Sequence, residues 1–129
     1  MTGRSRLAVL LFALLHVATT TAQGPAVDRV MRRKLEVSQK ILEAVVTSRW
    51  SDLEARTRDL QDLTNDPAWR VLTAPEYATH SNAFRQSVGA LHDAAAKRDL
   101  EATPKAYVAV TLNCVECHRY LAQSRIAER

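Results

Sequence analysis

The chain has 129 residues and a formal net charge of +4 at pH 7, a balance too modest to suggest a nucleic-acid-binding surface. It holds only three glycines among many alanines and leucines, and its length suits a single domain, so an all-helical fold is expected.

The N-terminus reads as a targeting segment. Arg4 and Arg6 form a positive start, and Leu7 to Ala18 is an apolar run too short for a comfortable membrane span. Thr20-Thr21-Ala22 is an acceptable small-residue cleavage site, so residues 1–22 are expected to be a signal peptide and 23–129 the mature domain. An uncleaved anchor is the alternative. No cysteine follows the run, which argues against a lipoprotein anchor. A mature chain of about 107 residues is small enough to benefit from a covalent or cofactor staple.

A first helix is expected from Ala26 to Thr47, with Pro25 at its first turn. Met31, Leu35, Ser38, Leu42 and Val45 alternate by four and three and mark an inward face, which Val37, Ile41 and Val46 widen. Arg29, Arg32, Arg33 and Lys34 fall mostly elsewhere, as a solvated basic face. Ser51-Asp52-Leu53-Glu54 reads as a capping box opening a second helix, with Trp50 as its staple. Leu53, Leu60 and Leu63 give that helix a thin apolar stripe, so it is expected to be peripheral, and Pro67 ends it. Residues 67–73 form a connector packed down by Trp69, Val71 and Leu72.

Thr73-Ala74-Pro75-Glu76 reads as the start of a third helix reaching Arg98. Tyr77, Phe84, Val88, Leu91 and Ala95 make its inner face, and Gly89, Ala90, Ala94, Ala95 and Ala96 permit close approach. Asp99 or Thr103 caps a fourth helix, on which Tyr107, Thr111, Cys114, His118, Leu121 and Arg125 keep the same alternation. Four amphipathic helices with short connections predict an antiparallel four-helix bundle.

The fourth helix carries Cys114-Val115-Glu116-Cys117-His118, and these are the only two cysteines. Cys-x-x-Cys-His is the pattern of covalent haem c attachment. Each thiol adds to one porphyrin vinyl group, and one helical turn sets the sulfurs at the separation of the two vinyls. The following His118 then offers its imidazole to the iron as proximal ligand. A dithiol redox site, half of a zinc site and a disulfide use the same Cys-x-x-Cys spacing. The redox site expects a preceding strand, which the pattern lacks. Zinc expects a second ligand pair, for which His80 and His92 are not spaced, while His16 lies in the leader. In the haem reading, Phe84 is a candidate for stacking near the ring, or else ordinary core. The basic cluster of the first helix then gains a sharper role, in neutralising a haem propionate or docking an acidic redox partner.

Taken together, leader, four helices, C-terminal CVECH and a small-residue-rich third helix with an aromatic resemble the class II cytochromes c, that is, cytochrome c′ and its low-spin relatives. The resemblance spans the mature chain, with CVECH its specific part. It implies that Cys114 and Cys117 hold the haem, that His118 is the proximal ligand and that Phe84 lies near the ring. It implies Met31, the mature chain's only methionine, as distal ligand, because low-spin relatives use a first-helix methionine there. Where family members often have an aromatic and then a basic residue third and fourth after the histidine, this chain has Leu121 and Ala122. Dimers through the first two helices are common in the family, so a homodimer is an open expectation.

The function expected is that of a periplasmic haem c protein with one covalent haem and its iron. It would transfer single electrons between redox partner proteins, with no membrane span once the signal is cleaved. It is not expected to be an enzyme: there is no Ser/His/Asp arrangement, nucleotide loop or second haem motif. One alternative is a five-coordinate, gas-binding protein taking nitric oxide or carbon monoxide. Another is a thiol–disulfide oxidoreductase working through Cys114 and Cys117 without haem.

Overall fold

The computed structural model describes residues 23–70 and 74–127. The expected signal peptide, Val71, Leu72 and Thr73 lie outside the described residues. Four α-helices follow in order: α1 (Gln23–Val46), α2 (Trp50–Leu63), α3 (Pro75–Ala96) and α4 (Ala102–Ala127). A short 3-10 turn, Pro67–Arg70, separates α2 from α3, and the described residues contain no strand. Each helix packs on its neighbour in sequence, and α4 also meets α1 at a few points, so the elements form an all-helical bundle. None of the described helices is long and apolar enough to cross a membrane.

The ends of the helices follow from local chemistry. After α1 the chain turns at Ser48, whose φ of 52° is left-handed. The Arg49 N–H donates to the Ala44 carbonyl at 3.0 Å and the Ser48 N–H to Val45 at 3.3 Å. These two bonds satisfy carbonyls that the helix end would otherwise leave unpaired. The same arrangement closes α3 at Arg98, φ 53°, with Asp99 bonded to Ala94 and Arg98 to Ala95. Pro75 occupies the first turn of α3, where its missing N–H costs nothing. Asp99 caps α4: its Oδ1 accepts the N–H groups of Glu101 and Ala102 at 2.9 and 2.8 Å. Thr103, the other candidate cap, is buried inside the helix.

The core is drawn from every helix. Val30, Val37, Ile41 and Ala44 of α1 meet Leu53 and Leu60 of α2, Phe84, Val88, Leu91 and Ala95 of α3, and Val110 of α4. Each large side chain among these, withdrawn from water, stabilises by about 1.5–3 kcal/mol relative to an exposed position. The inner face of α3 is the expected one, with Tyr77, Phe84, Val88, Leu91 and Ala95 all buried.

Three expectations do not hold. The inward face of α1 is not Met31–Leu35–Ser38–Leu42–Val45: Leu35 is 60 % exposed and Leu42 45 %. The buried stripe is Val30, Lys34, Val37, Ile41 and Ala44, with the same spacing one residue earlier, a rotation of about 100° about the axis. The capping box at Ser51 does not form. Arg49 is the N-cap, without a side-chain cap bond, and Trp50 is already helical. Arg49 instead pairs with Glu43 and Asp52, tying the two helix ends together. Nor is α2 peripheral. Leu53, Thr57 and Leu60 are fully buried, because α2 lies against both α1 and α3 and the Thr57 hydroxyl meets His92 Nδ1 of α3 at 2.9 Å.

Candidate functional site

Cys114 and Cys117 lie one turn apart on α4, both half-buried and both free thiols. Val110, one turn before Cys114, is fully buried, so this edge of α4 faces the core. His118 does not share it. It is exposed, as is Thr111, which the sequence had placed on the same inward stripe. The buried stripe of α4 runs through Thr103 and Val110, with Ala106, Tyr107 and Cys114 packed against the core. His118 stands at the margin of that stripe, about 80° around the axis from Val110 and about 40° from Cys114, because each residue advances about 100°.

Two hydrogen bonds fix this part of α4. The Tyr107 hydroxyl donates to the Ser38 carbonyl of α1 at 3.1 Å, and Asn113 Nδ2 donates to the Ser87 hydroxyl of α3 at 2.8 Å. These bonds tie α4 to α1 two turns before Cys114 and to α3 at the residue just before it. Burial raises the pKa of Tyr107, as expected for a phenol bonded to a carbonyl in a partly apolar setting.

Phe84 and Trp69 form the aromatic floor. Their rings lie 5.4 Å apart and tilted by 31°. Trp69, from the 3-10 turn, donates its indole N–H to the Ser81 hydroxyl at 3.2 Å, and the Tyr77 hydroxyl donates to the Trp69 carbonyl. Phe84 is 2 % exposed, so as it stands it is a core residue.

Lys34 is the residue that sequence reasoning missed. It was read with the arginines as part of a solvated basic face, yet it is only 7 % exposed. Its ammonium lies 3.7 Å from the Phe84 ring centroid and 4.7 Å from that of Trp69. Burial lowers the pKa of Lys34, while negative charge on Cys114 or Cys117 pushes it back up. Burial likewise raises the pKa of Cys117, against the pull of Lys34. The signal was present in the sequence: Val30, Lys34, Val37, Ile41 and Ala44 alternate by four and three as regularly as the stripe that was chosen.

Met31 is half-buried, on the flank of the α1 stripe, and packs against the core cluster. His80 and His92 are half-buried packed histidines, His80 against the Tyr120 ring at 5.1 Å and His92 at Thr57. A cleft of about 330 Å3 lined by Asn65, Trp69, Tyr77 and Arg85 touches neither cysteine.

The donor set suits a covalently held haem. Two thiols one turn apart match two vinyl groups, an exposed imidazole follows at the next residue, and Cys114 packs against the core cluster that holds Phe84 and Trp69. Beside them in the core, Lys34 holds a buried ammonium over the faces of Phe84 and Trp69. Compared with protein-family models, curated proteins and solved structures, the chain matches none.

Proposed function

We propose that this chain is an exported c-type cytochrome whose domain is an antiparallel four-helix bundle carrying one haem. Cys114 and Cys117 hold the porphyrin by two thioether bonds, and His118 is the proximal ligand. The haem supplies a one-electron couple at its iron, and the protein passes single electrons between partner proteins. The chain's own part is to fix the group and its surroundings. The thioethers anchor one edge of the ring to a helix that Tyr107 and Asn113 tie to its neighbours. Cys114 packs against the core of Phe84, Val88 and Val110, which would border the group on that side and exclude water there. His118, exposed at the margin of the stripe, would supply the imidazole nitrogen to the iron.

The observation that carries this reading is that the two cysteines of CVECH lie half-buried and free on the core-facing edge of α4, with Cys114 packed against the core cluster that holds Phe84 and Trp69. A redox titration followed by absorbance tests it, on protein matured in a host with c-haem assembly machinery. The expected outcome is a haem spectrum that interconverts reversibly between oxidised and reduced forms with a one-electron dependence. Protein without haem, cycling only between dithiol and disulfide, would favour the oxidoreductase reading instead.

A further inference from the structure

Two of the helices are apolar on two sides. α1 buries Val30, Val37 and Ile41 yet exposes Leu35, Leu42 and Val46, and α4 buries Val110 yet exposes Val108, Leu112 and Val115. Residues 35, 42 and 46, like 108, 112 and 115, keep the spacing of a packed helix face. Both outward stripes border one seam. The Tyr107 hydroxyl bonded to the Ser38 carbonyl marks the side on which α4 and α1 meet. At about 100° per residue, Leu35 and Leu42 lie about 40–60° beyond Ser38 around α1, away from the core. Val108 and Val115 lie about 80–100° beyond Tyr107 around α4, also away from the core. The two stripes therefore make one apolar face across the α1–α4 seam, and none of the described residues covers it.

We propose that a second copy of this chain covers this face, in a symmetric dimer that packs the two α1–α4 seams against each other. The size fits. At 45–70 % exposure the six side chains show water on the order of 500 Å² of apolar surface, most of the roughly 800 Å² per partner that a stable interface buries. Apolar residues scattered singly need no partner, whereas a contiguous stripe of this extent marks a contact. The charge fits as well. The rim carries ion pairs of Asp28 with Arg32 and of Glu101 with Lys105, and the exposed Glu116 and Arg119 add one charge of each sign. Two identical surfaces meet without repulsion only when their net charge is near zero, whereas an anionic lipid surface or a highly charged partner calls for an excess of one sign. The surface differs from the α1–α2 pair through which the resembled family commonly dimerises. Here α2 exposes no large apolar side chain, and Asp52, Arg58 and Asp62 lie on its outer side. The inference does not depend on the haem.

The test is the mass in solution, by light scattering or sedimentation, of protein matured in a host with c-haem assembly machinery, with haem absorbance read in the same run. Wild type at micromolar concentration is expected at twice the mass of one chain. Leu35→Glu and Leu112→Glu, each at an exposed position, should halve that mass, and Arg58→Glu on α2 should leave it unchanged. Should a glutamate variant fail to fold by circular dichroism, Leu35→Ala and Leu112→Ala serve in its place, each expected to weaken the dimer about tenfold. A wild type with the mass of one chain overturns the proposal, and its flotation with phosphatidylcholine vesicles would assign the face to lipid. A dimer that the substitutions at Leu35 and Leu112 leave intact overturns it too, and its loss in Arg58→Glu would assign the interface to α2. A dimer without haem absorbance overturns the cytochrome reading and leaves this inference standing.

Discussion

Lys34 concentrates more of the chemistry than any other single residue. Its buried ammonium lies over two ring faces, and among the described residues no carboxylate forms an ion pair with it. Lys34→Met, of similar length and without charge, should therefore stabilise the haem-free chain at neutral pH, by about 1–3 kcal/mol in urea unfolding. The gap should close as the medium becomes alkaline. The unfolded chain keeps the lysine proton up to about 10.5, and the folded chain gives it up sooner. Across that interval the wild type gains stability that the methionine variant does not. A gap that widens on approach to pH 10.5 would show that the ammonium is not the source. At His118 the expectation is chemical. His118→Ala should impair haem attachment or remove the strong nitrogen ligand, whereas His80→Ala should leave the haem spectrum unchanged, since His80 is packed on Tyr120. The opposite pattern would move the proximal ligand elsewhere.

At the scale of the helices, the two left-handed turns offer a separate check. Ser48 and Arg98 each carry a side chain in a conformation that costs an L-residue about 1 kcal/mol and costs glycine little. Ser48→Gly and Arg98→Gly should each raise stability by roughly 0.5–1 kcal/mol, measured by thermal or urea unfolding. Loss of stability at either would mean that the side chain itself holds the turn. These turns were not legible in the sequence, because no glycine marks them. The face of α3 was legible: Pro75 marks its start, and Tyr77, Phe84, Val88 and Leu91 leave one apolar side. The face of α1 was not, because two stripes with the same period lie one residue apart. The correct one contains a lysine, which periodicity counts as a surface residue. The thickness of α2 was underestimated for a related reason: Thr57 completes its buried stripe between Leu53 and Leu60, and a threonine adds nothing to an apolar count. Within the site, Cys-x-x-Cys-His and its spacing could be read directly, whereas the seat of Lys34 over Phe84 joins residues far apart in sequence and exists only once the helices are packed together.

For the whole molecule, the bundle, the cysteine pair and the aromatic floor make one claim, that a haem is built covalently into a small helical domain. The cysteine pair lies on the core-facing edge of α4 while His118 is exposed, an arrangement that the proposed carrier role would use. The measurement that tests the claim most directly is the mass of the denatured protein after maturation in a host with c-haem assembly machinery. Wild type should carry the added mass of one haem through denaturation, and the double variant Cys114→Ser, Cys117→Ser should not. A wild-type protein that emerges at the mass of its polypeptide alone, with both thiols free or holding zinc, would contradict the account.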